Sequence, residues 1–503
     1  MIITTCFDLY QENQTQLTQF EAGREGSRKD RMHESPVREF DHCRSNMPDH
    51  TGQTEESRQI GIGFSLKYTI PIRLLPLLLL IAACADERPP NIVLIMADDM
   101  GYETLGVNGG LSYDTPHLDS LAQHGMRFTH AFSTPLCTPT RVQLMTGKYN
   151  FRNYVGFGLL DPTERTFGHL LQDAGYATGI AGKWQLYGNT YQRELAGRGG
   201  STPEEAGFQE FALWQYIERG SRYKSPTVHY SGQEPEIFPD AYGPDLYTDY
   251  IEEFFERHQD EPFFLYFPMA LPHDPFLPPP GHPDFDSLDV ATVRNDTTYF
   301  APMVGYVDKL VGRITGKLHE LRLDRNTLVL FTTDNGTHRS VSSQHKTGLI
   351  RGRKAYPVAA GTHVPLIAYW PGTIQPNIVN DALVDFTDFL PTLTEVAGSA
   401  VPDDFTADGL SFYGQLTGQA DTMRNWIYCH YDPRWGRFAS ARWAQDQTWK
   451  LYGNGKFFNW SEDPDEVQVL EDSTLDERAQ LAKNKLQDVL NQMPALPQVE
   501  SED

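Results

Sequence analysis

The sequence predicts a doubly wound α/β fold built on a mostly parallel sheet. Short runs rich in Val, Ile, Leu and Phe alternate along the chain with segments of helical spacing. Continuous apolar strands of this kind are typical of parallel sheets that helices cover on both faces. The chain has 503 residues, of which 39% are hydrophobic and 12% aromatic. This length and composition predict a globular protein of one large domain or two.

The strand and helix patterns divide the chain into two regions. In the first, residues 90–395, HLDSLAQHGMRF has helical spacing, and strands are predicted in NIVLIM, YATGIAGKW, PFFLYFPMA, NTLVLFTT and VPLIAYW. In the second, residues 396–498, NWIYCHYD and SARWAQDQTWKLYGNGKFFNW predict a small antiparallel sheet with a hairpin turn at GNGK. The stretch DERAQLAKNKLQDVLNQ predicts a closing helix. We therefore expect a main α/β domain and a smaller C-terminal α+β subdomain.

Residues 63–84 have the features of a signal peptide. An apolar run from Leu74 to Ala83 follows Lys67 and Arg73, and it is too short to span a bilayer as a helix. Its IAAC ending resembles a bacterial lipoprotein signal, which would make Cys84 a lipid anchor. The alternative is an ordinary secretory signal that is cleaved nearby. Both interpretations predict export, to the periplasm, the outer membrane or the cell surface.

Residues 1–62 are polar, without a periodic pattern, and precede this signal. We interpret them as a non-native extension from a start assigned too early, the alternative being a disordered arm.

Charge and cysteine content exclude several functions. The formal net charge is −25, which argues against nucleic acid as the main partner. An anionic small group remains an acceptable ligand, because a site can be locally positive within an acidic protein. The five cysteines are odd in number and far apart, so they predict neither a disulfide scaffold nor a thiolate zinc site.

Polar residues interrupt the pattern where four of the predicted strands end. They are Asp98, Asp99, Lys183, His273, Asp334 and Asn335. Ligands of open α/β sheets bind outside the carboxyl ends of the strands, so these side chains are expected to converge. Three carboxylates and one amide oxygen suit Ca²⁺ or Mg²⁺ better than zinc. The cations Arg141, Lys183 and Lys354 then remain for an anionic substrate group.

The motifs around these residues resemble those of the type I, formylglycine-dependent sulfatases of the alkaline phosphatase superfamily. The central match is CTPTR, residues 137–141, which has the C-x-P-x-R signature and continues as VQLMTGKY. Around it stand PNIVLIMADDMGY, AGKW, LPHDPF, TTDNG and RGRKAYPVAAGTHVPLIAYWPG, in the order and spacing of the family. The prolines and threonines near Cys137 also suit a helix N-terminus, and Arg141 lies on the same face one turn later.

The resemblance implies a fold, a chemistry and a set of roles. The fold is of the alkaline-phosphatase type, and the activity is release of sulfate from an ester. A maturation enzyme would convert Cys137 to formylglycine. One Ca²⁺ ion would be held by Asp98, Asp99, Asp334, Asn335 and the modified residue 137. The remaining catalytic and substrate-binding residues would be Arg141, Lys183, His273 and Lys354, with Gln185 as a further substrate contact.

Two positions depart from the family pattern. Gln185 stands where the family often has a histidine that acts as a base, and an amide cannot take up a proton at neutral pH. The frequent EGG after the lysine is here Ala359, Ala360 and Gly361, and His363 replaces a common arginine. We interpret His363 as a structural residue.

The resemblance and the export signal favour a sulfated carbohydrate as substrate. One alternative is a formylglycine-dependent phosphonate or phosphodiester hydrolase of the same superfamily. Another is a catalytically impaired carbohydrate-binding homologue, which the glutamine at 185 motivates. In LWQYIERGSRY, the residues Trp214, Tyr216, Arg219 and Arg222 can line a sugar pocket or form a surface helix over packed aromatic rings.

Overall fold

A ten-stranded sheet organises the main domain in the computed structural model, which describes residues 88–217, 220–287, 296–419 and 423–497. The strands up to residue 385 are β1 (Asn91–Ala97), β2 (Met126–Phe132), β3 (Ala177–Lys183), β4 (Glu210–Trp214), β5 (Thr227–Tyr230), β6 (Glu236–Ile237), β7 (Phe263–Pro268), β8 (Thr327–Thr333), β9 (Ser342–His345), β10 (Gly348–Arg351), β11 (His363–Tyr369) and β12 (Ile378–Asp385). The large sheet has the order β12-β2-β11-β8-β1-β7-β3-β4-β5-β6, and β9 and β10 form a separate hairpin.

The centre of the sheet is parallel, as the sequence predicts. Strand β1 pairs in parallel with β7 and β8, β3 pairs in parallel with β7 and β4, and β12 is parallel to β2. Strand β11 is antiparallel to both β2 and β8. The apolar sequence of β11 does not predict its direction. A strand that is buried on both faces has the same hydrophobic pattern whether its neighbours are parallel or antiparallel. The sheet is therefore mixed and mostly parallel.

Helices cover both faces of this sheet. The α-helices of the described residues are α1 (Pro116–His124), α2 (Cys137–Thr146), α3 (Asn150–Asn153), α4 (Phe167–Asp173), α5 (Thr190–Ala196), α6 (Gly243–Arg257), α7 (Phe300–Glu320), α8 (Ala359–Thr362), α9 (Phe389–Val396), α10 (Tyr413–Leu416) and α11 (Glu477–Gln492). Those that cover the main sheet include α1, α6 and α7 on one face and α2, α4 and α9 on the other. Val93 and Ile95 of β1 belong to a core with α1, α6 and α7, whereas Ile92 and Leu94 belong to a second core with α2, α4 and α9. This alternation shows that the fold is doubly wound.

A four-stranded antiparallel sheet follows the main domain. Its strands, in spatial and chain order, are β13 (Ile427–Tyr431), β14 (Ala441–Gln445), β15 (Trp449–Tyr452) and β16 (Phe457–Asn459). The GNGK turn joins β15 to β16, as predicted. Helix α11 packs on this sheet through Leu486 and Leu490, which share a core with Leu451.

The predicted domain boundaries stay predictions. Helix α9 runs across the boundary proposed at 395/396. Residues 1–62, the signal segment 63–84 and Cys84 lie outside the described residues. In the part of the chain that the structure describes, none of the helices is both long and apolar enough to cross a membrane.

Candidate active site

Two neighbouring strands deliver four oxygen-bearing side chains to one edge of the sheet. Ala97, the last residue of β1, pairs with Thr333, the last residue of β8. The residues that follow therefore emerge side by side, and all four are fully buried: Asp98, Asp99, Asp334 and Asn335. The backbone N–H of Asp99 donates to Asp334 Oδ1 over 3.2 Å, and Asn335 Nδ2 donates to Asp99 Oδ1 over 2.8 Å. The predicted convergence of these residues is confirmed.

Cys137 is the first residue of α2, as its surrounding prolines and threonines predict. The turn before it is fixed by Thr140, whose hydroxyl donates to the carbonyl of Leu136 over 2.9 Å. Cys137 is 2% exposed, and burial raises the pKa of its thiol although the charges of Lys183 and Lys354 oppose this. An unmodified Cys137 is therefore a neutral thiol at pH 7 and a poor nucleophile.

Each of the three buried carboxylates is paired with a cation. Arg141 donates from Nη2 and Nε to Asp334 Oδ2 over 2.7 and 3.1 Å. Lys183 Nζ lies 2.6 Å from Asp98 Oδ2, and Lys354 Nζ lies 2.8 Å from Asp99 Oδ2. Lys183 ends β3, and the loop after β10 carries Lys354. Residues from five segments of the chain thus form one charge network.

The pKa values of two carboxyl groups in this network, Asp98 and Asp334, are shifted in opposite directions. Burial alone would raise the pKa of Asp98, but the charges of Lys183, His273 and Arg141 hold it well below the usual range. Burial and the adjacent charge of Asp98 raise the pKa of Asp334 to about 7, against the opposing charge of Arg141. Burial is the largest cause of the raised pKa of Asp334, and the neighbouring charge of Asp98 adds to it.

The orphaned oxygens of this cluster fit a hard divalent cation. Asp98 Oδ1 and Asn335 Oδ1 are buried and have no hydrogen-bond partner. Buried acceptors without a partner are rare and destabilising unless something else occupies them. Carboxylate and amide oxygens are the ligands that Ca²⁺ takes in proteins. The residues present thus fit the predicted ion.

His273 lies at the mouth of the cluster. Its Nδ1–H donates to the carbonyl of Asp274 over 2.7 Å, and Asp274 Oδ1 is 3.0 Å from the same nitrogen. Its Nε2 lies 3.9 Å from Asp99 Oδ2, and ligand atoms of Asp98, Asp99 and His273 all fall within 4.8 Å of one another. The Tyr223 hydroxyl also reaches the carbonyl of His273 over 2.6 Å and fixes this loop. His273 is thus held with Nε2 towards the cluster.

Gln185 and His363 lie in different parts of the structure. Gln185 lies two residues beyond Lys183 with a left-handed φ of 52° and a buried, unpartnered Oε1. His363 lies away from the cluster, where it stacks on Tyr102 at 4.1 Å and donates to the carbonyl of Thr129. Burial lowers the pKa of His363 to about 3, so it is a neutral structural residue, in agreement with the interpretation from sequence.

The segment LWQYIERGSRY begins inside the main sheet. Trp214 is the last residue of β4 within the main sheet, and it is buried. Its five-residue strand, EFALW, was not predicted. Arg219 lies outside the described residues.

Sequence reasoning missed several residues that position the side chains and loops of the site. Asp274 adjoins His273 in the motif LPHDPF, so its position was a usable signal. The charge of Arg141 acts on Tyr266 of β7, which lies hidden in an apolar run. The Thr337 hydroxyl donates to Glu103 and accepts from the Gly101 N–H, which braces the loop after β1. Only the packed structure could reveal the last two.

Fold and site together define a class of protein. Buried carboxylates that fit a cation lie beside cations that fit an anion, at the carboxyl edge of a doubly wound sheet, as in hydrolases of anionic esters. A family model described as Sulfatase matches residues 90–399, and one described as N-sulphoglucosamine sulphohydrolase, C-terminal, matches residues 353–493. The chain belongs to the type I sulfatase family of the alkaline phosphatase superfamily, and it is a sulfate ester hydrolase.

Individual relatives agree with this assignment. The chain is 32% identical over 391 residues to human arylsulfatase A, covering 70% of this chain and 72% of the relative. It is 28% identical over 414 residues to an N-acetylgalactosamine-6-O-sulfatase of Bacteroides thetaiotaomicron, covering 68% and 79%. A protein solved in complex with its substrate D-glucosamine-2-N,6-O-disulfate superposes with a TM-score of 0.67 at 20% identity, covering 80% and 98%. This last likeness shows the shared fold.

Proposed function

We propose that this sulfatase releases inorganic sulfate from a sulfated carbohydrate, using formylglycine at position 137 and one Ca²⁺ ion. The observation that carries the proposal is the buried network in which Arg141, Lys183 and Lys354 meet three carboxylates beside Cys137. The resemblance to relatives named for amino-sugar sulfates supports a carbohydrate substrate.

Modification of Cys137 gives this site a nucleophile that its thiol does not supply. The raised pKa keeps the thiol neutral, and sulfur is a poor ligand for a hard cation. A maturation enzyme that recognises the CTPTR segment would convert the side chain of residue 137 to an aldehyde. The Cβ–Sγ bond would break, sulfur would leave as sulfide, and an oxidant used by that enzyme would take up two electrons. The hydrate of that aldehyde would supply an oxygen nucleophile, and Ca²⁺ would supply positive charge for the sulfate oxygens.

Asp98, Asp99, Asp334 and Asn335 would hold the Ca²⁺ ion, with an oxygen of the modified residue 137. Two of these four residues have unpartnered buried oxygens, which supports the assignment. The carboxylates now neutralise Lys183 and Lys354. When a divalent ion takes up carboxylate charge, the lysines are available to hold the anionic ester group.

The chain's own residues then position the ester and transfer protons. Lys183 and Lys354 contact the sulfate oxygens and stabilise the charge that develops during transfer. Arg141 orients residue 137 from one turn along α2 and keeps Asp334 in place. His273 donates a proton from Nε2 to the leaving alcohol, and Asp274 stabilises its protonated ring from Nδ1. Gln185 donates a hydrogen bond to the substrate and has no proton-transfer role.

We also propose that the protein acts outside the cytoplasm. The signal-like segment 63–84 supports export, and the IAAC ending supports a lipid anchor on Cys84. Radiolabelled palmitate incorporated into the wild-type protein but not into Cys84→Ala would support the anchor. Equal labelling of both proteins would contradict it.

Sulfate release tests the activity. The protein, produced with a competent maturation enzyme, is expected to release sulfate from a panel of sulfated mono- and oligosaccharides. Cys137→Ala is expected to lose at least about 10³-fold in kcat, because the nucleophile is absent. The matched control is Cys429→Ala, since Cys429 is also a buried free cysteine, in β13, and burial raises the pKa of its thiol as well.

Two results would contradict the proposal. One is full sulfate release by Cys137→Ala. The other is hydrolysis of phosphonate monoesters at a higher kcat/KM than any sulfate ester, which would favour the phosphonate hydrolase alternative.

A further inference from the structure

Two glutamines next to Lys183 have side-chain oxygens with no partner. Gln185 follows β3, Gln215 follows β4, and the Gln185 N–H donates to the Gln215 carbonyl over 3.2 Å. Both residues have left-handed backbones, with φ of 52° and 55°, which is uncommon for residues other than glycine. The Oε1 atoms of both are buried without a hydrogen-bond partner, and Gln215 is only 6% exposed. Strained backbones and unsatisfied acceptors in one place indicate a site that awaits a donor.

Arg222 lies next to the end of β4, which Gln215 follows. The Arg222 guanidinium stacks over the ring of Trp214, the residue before Gln215, with 4.3 Å between Cζ and the ring centroid. Arg222 is 8% exposed, and its Nη1 is buried without a hydrogen-bond partner. Among the residues that the structure describes, no carboxylate lies within salt-bridge distance of it. A buried guanidinium nitrogen without a hydrogen-bond acceptor is unfavourable unless a ligand supplies one.

Arg222 is also close to the catalytic loop. The hydroxyl of Tyr223, the next residue, donates to the carbonyls of Ala270 and His273 over 2.7 and 2.6 Å. The positive charge of Arg222 also acts on Asp274. Gln185 thus lies two residues from Lys183, and Arg222 lies one residue from Tyr223, which bonds the His273 loop.

We propose that Gln185, Gln215 and Arg222 form a recognition site for a second anionic group on the saccharide whose scissile sulfate lies at Lys183 and Lys354. The guanidinium fork matches a carboxylate or a sulfate in two-point contact, and the two amide oxygens accept hydrogen bonds from hydroxyl groups. The preferred substrate class is thus a sulfated sugar that also carries a uronate carboxylate or another sulfate. This inference rests on the proposed function and specifies its substrate.

The test compares three saccharides of equal length: a monosulfated one, a monosulfated one with a uronate carboxylate, and a disulfated one. We expect the wild-type protein to prefer one of the two dianionic substrates by about 10–100-fold in kcat/KM, mostly through KM, as a charged hydrogen-bonding pair provides. Arg222→Gln is expected to remove most of this preference, and Arg222→Lys to keep part of it. The identity of the preferred dianionic substrate shows whether the site recognises a carboxylate or a second sulfate.

Matched variants separate recognition from folding. Arg165→Gln removes an exposed arginine that pairs with Asp173 and should leave all three kcat/KM values unchanged. In Gln215→Asn, the shorter side chain moves the amide away from the substrate, while asparagine still tolerates the left-handed backbone. This variant should raise KM for the dianionic substrates. Equal kcat/KM on all three saccharides in the wild-type protein would overturn the inference while the proposed function stands. Absence of sulfate release from all three would instead count against the proposed function.

Discussion

At the scale of single residues, the proposed acid role of His273 depends on which of its ring nitrogens is already hydrogen-bonded to Asp274. Nδ1 donates to Asp274, so Nε2 is the atom that faces the cluster. A proton on Nε2 is needed only when the leaving oxygen is basic, as in a sugar alcohol. Asp274 therefore acts on the reaction through His273.

This geometry predicts a dependence on the leaving group. His273→Gln should lower kcat by about 10²–10⁴-fold on a sugar sulfate, because general acid catalysis is lost. The loss should be much smaller on nitrophenyl sulfate, whose leaving group departs without a proton. Steady-state kinetics on both substrates measures the difference, and His319→Gln, on an exposed histidine, is the control. Equal losses on both substrates would contradict the acid role.

The polar residues that directly follow predicted strands could be identified from the sequence. The residues whose importance depends on their packed surroundings could not. Asp98, Asp334 and Lys183 interrupt apolar runs, so their common position can be deduced from topology rules alone. Gln215 and Arg222 follow a strand that was not recognised, and their missing partners are visible only once packing shows what surrounds them. A sequence shows which groups are polar, whereas burial shows which of them lack a partner.

At the scale of elements, the C-terminal sheet supports the loop that carries Lys354. Lys450 and Tyr452 of β15 both donate to the carbonyl of Pro357 and to the carboxylate of Glu466. Ala355, next to Lys354, has a left-handed φ of 75°. A strained backbone persists only where its surroundings hold it, so this cluster fixes the lysine loop.

Removing the charge of Glu466 should therefore destabilise the protein. Lys450 and Glu466 have side chains that are 1% and 4% exposed, and Glu466→Gln leaves a buried lysine without its counter-charge. We expect a loss of about 3–5 kcal/mol in the free energy of unfolding, measured by urea denaturation. Asp472→Asn breaks the exposed pair with Lys483 in the same subdomain and should change it by about 0–1 kcal/mol. Similar losses in both variants would contradict the stabilising role of the buried pair of Lys450 and Glu466.

At this scale, five of the ten main-sheet strands, β1, β3, β7, β8 and β11, and the closing helix could be predicted. Their hydrophobic patterns show which residues are buried and with what period. The antiparallel direction of β11 could not be predicted, since direction is set by pairing with distant strands. Strand β2 was also hidden, as the end of the segment interpreted as helical, HLDSLAQHGMRF, where only residues up to His124 form α1.

At the scale of the whole molecule, Ca²⁺ binding should couple to stability. An ion that binds the folded state alone raises the free energy of unfolding by about 2.7 kcal/mol at 100 times its Kd. Thermal unfolding of the metal-free protein should therefore shift to a higher Tm on addition of Ca²⁺. Asp334→Asn should lose this shift, and Asp465→Asn, on an exposed carboxylate, should keep it. An unchanged shift in Asp334→Asn would contradict the proposed ligand set.

The central claim is that residue 137 acts as formylglycine and not as cysteine. The most direct measurement is the mass of the peptide that contains residues 137–141, taken from active protein made with a competent maturation enzyme and treated with an aldehyde-reactive hydrazide. We predict a hydrazone adduct at residue 137 in a fraction that rises in proportion to the rate of sulfate release. Full sulfate release by protein whose residue 137 remains an unmodified thiol would contradict the account.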